Sequence, residues 1–262
     1  MFFIDVNRRR FHYILDGPAG APVLMLSNSL GADLSMWEQQ MPVLTQQFRV
    51  LRYDTRGHGL SAVTPGPYTI EGLAQDALEI LDVMGLERVN FCGLSMGGMI
   101  GIWLGIHAPH RLNKLVLCNT AGRIGTRDAW DARIAEVRRG GLAAIASVVI
   151  QRWFTERFTA TASDKVESAR QMLLRCPAEG YVACCEAIRQ TDQREQIAGI
   201  KAHTLVIAGS RDGVTTAADS RLLYEGIRGA EYVEFEASHL SNIEAPHLFT
   251  DAVVKFLAGV EA

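Results

Sequence analysis

Val89-Asn90-Phe91-Cys92-Gly93-Leu94-Ser95-Met96-Gly97-Gly98-Met99 is the stretch whose reading decides the fold. An apolar run ends at Gly93, a turn of small residues carries Ser95, and a helical pattern begins at Met96. Gly-x-Ser-x-Gly between a strand and a helix predicts a sharp turn that strains the Ser95 backbone and lifts its hydroxyl clear of the sheet edge. Side chains two residues to either side would strike the adjoining strand and helix, which accounts for Gly93 and Gly97. The helix starting at Met96 also aims unpaired N–H groups at any negative charge that develops beside Ser95. The plainer reading is a tight turn with serine as a helix cap. The rest of the chain decides between the two.

Outward from Ser95, apolar runs alternate with helical patterns. Strands are expected at Pro22–Ser27, Phe48–Tyr53, Val89–Cys92, Leu112–Cys118, Thr204–Ala208 and Glu231–Phe235. Helices are expected at Trp37–Leu44, from Thr69 as cap to about Met84, and at Met96–His107, Ala217–Ile227 and Ala245–Leu257. Two further short strands lie between Phe2 and Asp16, with Asn7-Arg8 as their turn. Such alternation means an α/β protein with a parallel sheet covered by helices on both faces. The rhythm fails from Arg123 to about Ile197. That segment holds only amphipathic stretches, at Arg127–Arg139, Leu142–Phe154, Lys165–Leu174 and Gly180–Ile188. The expected organisation is a core of residues 1–122 and 198–262 with a helical cap, 123–197, inserted in it; an ordinary connection is far shorter.

Composition agrees with one sizeable core: 262 residues, 48% of them hydrophobic. A net charge of −3 argues against a nucleic-acid partner. Five cysteines, an odd number set mostly in apolar surroundings, read as reduced, buried thiols rather than a disulfide framework. No apolar run reaches membrane-spanning length, and Met1-Phe2-Phe3-Ile4-Asp5 lacks a signal-peptide core. The expectation is a soluble cytoplasmic protein without a membrane partner.

A serine nucleophile needs a base, and the base needs a group to orient it. In an open parallel sheet both must come from the carboxyl ends of other strands. Asp212, in Ala208-Gly209-Ser210-Arg211-Asp212-Gly213, and His239, in Ala237-Ser238-His239-Leu240, stand just after expected strands. Each has a plainer alternative: a turn aspartate before Gly213, and a histidine that caps the last helix or sits in a polar core. Three such residues in the order Ser, Asp, His favour the catalytic reading. His58 is a rival base, since it too follows a strand, but it precedes Ser95 and sits in Asp54-Thr55-Arg56-Gly57-His58-Gly59, which reads as a structural loop. Two N–H donors for an oxyanion are expected from Met96, next to the nucleophile, and from Leu30, in the loop after Ser27 where Gly31 permits close approach.

These segments together resemble the α/β-hydrolase superfamily along nearly the whole chain. A narrower resemblance lies in Asn28-Ser29-Leu30-Gly31-Ala32-Asp33-Leu34-Ser35-Met36-Trp37, Arg52-Tyr53-Asp54-Thr55-Arg56-Gly57-His58-Gly59, Pro65-Gly66-Pro67-Tyr68-Thr69 and Ser238-His239-Leu240-Ser241-Asn242-Ile243-Glu244. It is to the 3-oxoadipate enol-lactonases of aromatic degradation. Asn28-Ser29 stands where many superfamily members carry His-Gly, and Thr216 where proline is common. The resemblance implies a mostly parallel eight-stranded sheet, a small anionic enol lactone as substrate, and neither metal nor organic cofactor. An anionic substrate calls for a cation, and Arg133 and Arg152 are the candidates among the arginines of the inserted segment. Trp153 is expected to wall the pocket, and Trp37 and Met96 to line it from the core side. Another carboxylesterase or lactonase, a perhydrolase and a carbon–carbon bond hydrolase stay open, as does a non-catalytic small-molecule receptor. A dehalogenase or epoxide hydrolase would carry aspartate where Ser95 stands. Oligomeric state is left open by the sequence.

Overall fold

Eight strands form one sheet in a computed structural model that describes residues 2–259. They are β1 (Phe2–Val6), β2 (Arg9–Asp16), β3 (Val23–Ser27), β4 (Arg49–Tyr53), β5 (Val89–Leu94), β6 (Leu112–Cys118), β7 (His203–Gly209) and β8 (Glu231–Phe235). The order across the sheet is β1-β2-β4-β3-β5-β6-β7-β8. β1 and β2 pair antiparallel, β2 meets β4 antiparallel, and every pairing from β4 through β3 to β8 is parallel. β5 is central and buried at every position, as a strand covered on both faces must be, and its sequence is accordingly apolar rather than alternating.

Helix α1 (Met41–Leu44) is short and follows a 3₁₀ turn, Leu34–Trp37. The expected helix over Trp37–Leu44 is thus replaced by two pieces. Asp33 caps the first by accepting from the Ser35 amide, and Pro42 stands in the first turn of the second, where its missing N–H costs nothing. Helices α2 (Ile70–Val83) and α3 (Met96–His107) cover the sheet. Thr69 caps α2 by accepting from the Gly72 amide.

Between β6 and β7 lie α4 (Arg127–Trp153), α5 (Glu156–Thr161), α6 (Ser163–Arg175) and α7 (Ala178–Gln190). No strand of the sheet falls in that interval among the described residues. α4 is helical on both sides of Gly141, whose φ of 65° and ψ of −168° break it, so it behaves as the two amphipathic stretches read from the sequence. α5 was not anticipated: six residues are too few to show a period. The closing helices are α8 (Ala217–Gly226), α9 (Ser241–Glu244) and α10 (Pro246–Ala258). Thr216 begins α8 with a reciprocal cap, its hydroxyl accepting from the Asp219 amide while Asp219 accepts from the Thr216 amide. At this position threonine does by capping what proline does by a preset φ.

Candidate active site

Ser95 sits between the end of β5 and the first turn of α3 with φ 58° and ψ −114°. A non-glycine residue there is strained, and the packing that holds it is tight. A Cβ on Gly93 would come within 2.1 Å of the Gly97 carbonyl oxygen, and one on Gly97 within 2.2 Å of the Ser27 carbonyl oxygen. The Gly97 amide donates to the Asn28 carbonyl at 3.0 Å and the Ser95 amide to the Cys118 carbonyl at 2.9 Å. The elbow is therefore clamped between β3 and β6, with the serine hydroxyl raised above both.

His239 reaches Ser95 from the loop after β8: its Nε2 lies 2.9 Å from Ser95 Oγ. Its Nδ1 lies 2.8 Å from Asp212 Oδ2, which comes from the loop after β7. All three side chains are buried. Asp212 accepts further bonds from the Val214 and Thr215 amides at 2.7 and 3.1 Å, from Thr215 Oγ1 at 2.8 Å and from Asn119 Nδ2 at 3.0 Å. Burial pushes the Asp212 pKa up, but the neighbouring His239 charge and hydrogen bond, with Asn119 and the Val214 amide, outweigh it and hold the carboxyl below its ordinary range. An ionised carboxylate fixes the imidazole with its proton on Nδ1, which leaves Nε2 to accept from the serine hydroxyl.

The amides of Leu30 and Met96 have no acceptor within the chain among the described residues. Leu30 belongs to the loop after β3, and Met96 opens α3. The Leu30 loop is held by the rival base. His58 is buried, and its Nε2 accepts from the Gly31 amide at 2.8 Å. Burial pushes its pKa down to about 4, so at neutral pH it is an uncharged acceptor that fixes a loop. It does not line the Ser95 chamber. Asp54 in the same segment accepts from the Leu34 and Leu60 amides at 2.8 and 2.9 Å and pairs with His12 Nδ1 at 2.8 Å.

Above Ser95 lies a chamber of about 30 Å³. Ser95, His239 and Leu30 form its floor; Arg133, Arg152 and Trp153 from α4 and Tyr181 from α7 stand among its walls. Among the described residues Arg123, Arg138, Arg175, Arg189 and Arg194 pair with carboxylates while Arg133 and Arg152 do not, and Arg133 lies over the Trp130 ring at 5.1 Å. Trp37 is not in the wall. Its indole is fully buried in the core against Phe249 and donates from Nε1 to Asn28 Oδ1 at 2.8 Å. That correction explains Asn28, whose Nδ2 donates to the Tyr53 carbonyl at 2.9 Å: the asparagine braces the loop between β3 and β4. The Met96 side chain is likewise buried in the core, so only its backbone faces the site.

The end of α4 is sewn to the histidine loop. Ser238 Oγ donates to the Arg152 carbonyl at 2.9 Å, the Leu240 amide to the Trp153 carbonyl at 3.0 Å, and Glu244 accepts from the Ser238 amide at 2.9 Å and from Thr155. Asn119, Thr215, Glu244 and Tyr181 were missed by the sequence reading. Asn119 had a signal, being the first residue past the strand Leu112–Cys118 at the same carboxyl edge. The others had none, because their roles depend on contacts between distant segments. Among the described residues no group of His, Cys, Asp or Glu is gathered as a metal site, and no helix is long and apolar enough to cross a membrane.

Known proteins share this architecture. The sequence model of the family described as alpha/beta hydrolase fold matches residues 22–246. The "3-oxoadipate enol-lactonase 2" of Acinetobacter baylyi is 45% identical over 242 residues, spanning 92% of this chain and 91% of that protein. The crystal structure of the enol-lactonase from Burkholderia xenovorans LB400 superposes with a TM-score of 0.97 at 45% identity, covering 98% of this chain and 100% of the other. A thermophilic esterase from Thermogutta terrifontis, solved with malate bound, superposes with a TM-score of 0.92 at 30% identity, over 100% and 99% of the two chains.

Proposed function

The chain belongs to the alpha/beta hydrolase fold family, and from that premise we propose that it is a serine hydrolase that opens the lactone ring of 3-oxoadipate enol lactone to give 3-oxoadipate, in the β-ketoadipate route of aromatic degradation. The single observation that carries the reading is the unbroken chain of hydrogen bonds from Ser95 through His239 to Asp212, under a chamber walled by an arginine without a carboxylate partner. Two enol-lactonases at 40% and 45% identity, over 94% and 92% of this chain, support the choice of substrate.

The roles follow from the geometry. Ser95 Oγ attacks the lactone carbonyl as His239 Nε2 takes its proton, and Asp212 stabilises the imidazolium. The developing oxyanion takes hydrogen bonds from the Leu30 and Met96 amides; one such donor is worth about 10²–10³ in rate. The ring C–O bond then breaks. The departing oxygen leaves as an enol, protonated by His239, which is easier to expel than an alkoxide. Because the ester was a ring, the enol stays tethered to the acyl group on Ser95. His239 next activates a water to release the acyl group, and the enol becomes the ketone of 3-oxoadipate. No metal or organic cofactor takes part.

Residues 123–197 form a cap over the core of 1–122 and 198–262. Arg133 holds the substrate carboxylate, and Arg152 and Trp153 close the wall. The chamber of about 30 Å³ between these walls is where the lactone ring is to be placed. Five unpaired thiols suit a reducing cytoplasm. The test compares purified enzyme on 3-oxoadipate enol lactone and on p-nitrophenyl esters. Turnover of the lactone with kcat/KM well above the esters is expected; preference for the simple esters would point to a general carboxylesterase.

A further inference from the structure

Tyr181 is a polar chamber group to which the mechanism above gives no task. It lies on α7, 1% exposed, and its ring packs at the Leu30 loop: a Cβ on Gly31 would sit 3.1 Å from Tyr181 Cε2. It shares the chamber wall with Arg133, above Ser95 and His239. A buried tyrosine hydroxyl ordinarily finds an acceptor for its proton. Two others in this chain do so or share a hydroxyl: Tyr68 donates to the Thr64 carbonyl at 2.8 Å, and Tyr53 lies 3.1 Å from Ser27 Oγ. Its polar neighbour is the Arg133 guanidinium, which is itself a donor and leaves the phenol's own proton without a taker. Burial, with the nearby Cys185, raises its pKa above the ordinary tyrosine value against the pull of Arg133, so the phenol keeps its proton and can only be a donor to an incoming anion.

We propose that the Tyr181 hydroxyl is a second, uncharged donor to the free carboxylate of the substrate, working beside Arg133. The inference rests on the lactonase reading and deepens it. The guanidinium supplies charge. The phenol, held between the oxyanion loop and the cap, supplies an O–H···O⁻ bond whose position fixes which end of the lactone faces Ser95. A carboxylate is thus recognised by one donor from each of two cap helices, α4 and α7, and a lactone without one leaves both unanswered. The phenol belongs to the binding of the anion rather than to proton transfer, since His239 already serves the leaving oxygen.

The test uses two lactones with the same enol ring: the carboxymethyl substrate, and 5-methyl-2(3H)-furanone, which bears a methyl group instead. Tyr181→Phe keeps the ring packing and removes only the hydroxyl. The ratio of kcat/KM for the carboxylated over the neutral lactone is expected to fall about tenfold, through KM, as one charge-assisted hydrogen bond warrants. Turnover of the neutral lactone doubles as the check that the variant folds. Wild-type discrimination kept by Tyr181→Phe, or an equal loss on both lactones, overturns the Tyr181 assignment alone. Failure of the wild type to open the carboxylated lactone overturns the lactonase reading and this proposal with it.

Discussion

The sheet edge and the cap meet at one chamber but are built on different principles. At the edge, each reacting group comes from a loop just past a parallel strand, and each is locked by several bonds: Ser95 by the glycine clamp, Asp212 by four donors besides His239, the Leu30 loop by His58. In the cap, Arg133, Arg152 and Tyr181 project from helices and have few polar partners of their own. Rigid, over-determined groups suit chemistry that must be placed within a fraction of an ångström. Unpaired groups on helices suit recognition, since the substrate completes their hydrogen bonding. Changes at the edge should therefore lower kcat for every substrate, whereas changes in the cap should alter KM for anionic ones.

The largest effect is expected at the nucleophile. Ser95→Ala should lower kcat by about 10⁶ on lactone and p-nitrophenyl ester alike, with its melting temperature near that of wild type. Asp212→Asn should cost about 10⁴ in kcat through the wrong histidine tautomer, again on both substrates. If either loss were confined to the lactone, the division between edge and cap would break.

A smaller effect concerns stability. The neutral His58 ring has its pKa held at about 4 by burial, below the ordinary 6.5. The stabilisation it gives is complete above the ordinary value and is lost as pH falls from about 6.5 toward 4, to the extent of about 3 kcal/mol. Urea unfolding at pH 7 and pH 4 should therefore show a larger drop for wild type than for His58→Gln, which can still accept from Gly31 but does not titrate. Equal drops would mean that His58 does not carry this dependence. The smallest effect sharpens the cap side. Arg133→Met should raise KM for the carboxylated lactone about 30-fold, or about 2 kcal/mol, with kcat nearly constant and the neutral lactone little affected. A fall in kcat on both lactones would instead make Arg133 part of the chemistry.

The same division governs what the sequence reveals. Strand ends, the elbow glycines and the order of Ser95, Asp212 and His239 are local patterns, and the structure puts these three side chains in hydrogen-bonding contact. Met96–His107, Leu112–Cys118 and Glu231–Phe235 match their elements residue for residue: the first two are largely apolar and buried, and the third mixes exposed and more buried positions. Trp37 misled because an indole beside a loop reads equally as a pocket wall and as a core brace; its bond to Asn28 decides, and that bond joins residues nine apart through a turn. Tyr181 was invisible because nothing in Gly180-Tyr181-Val182 says which side of α7 faces the serine. Asn119 is marked in the sequence only by its place just past β6; its φ of 43° and its bond to Asp212, ninety-three residues on, belong to the fold.

The central claim is that the lactone carbonyl becomes bonded to Ser95 while the ring oxygen stays attached to the same acyl chain. A single turnover with enzyme in excess, quenched in acid on the millisecond scale and followed by intact-mass measurement and peptide mapping, tests this most directly. The account predicts a transient gain equal to the whole mass of the lactone, located on the peptide that carries Ser95. An adduct on any other residue, or lactone consumed at full rate while the protein mass never changes, would contradict it.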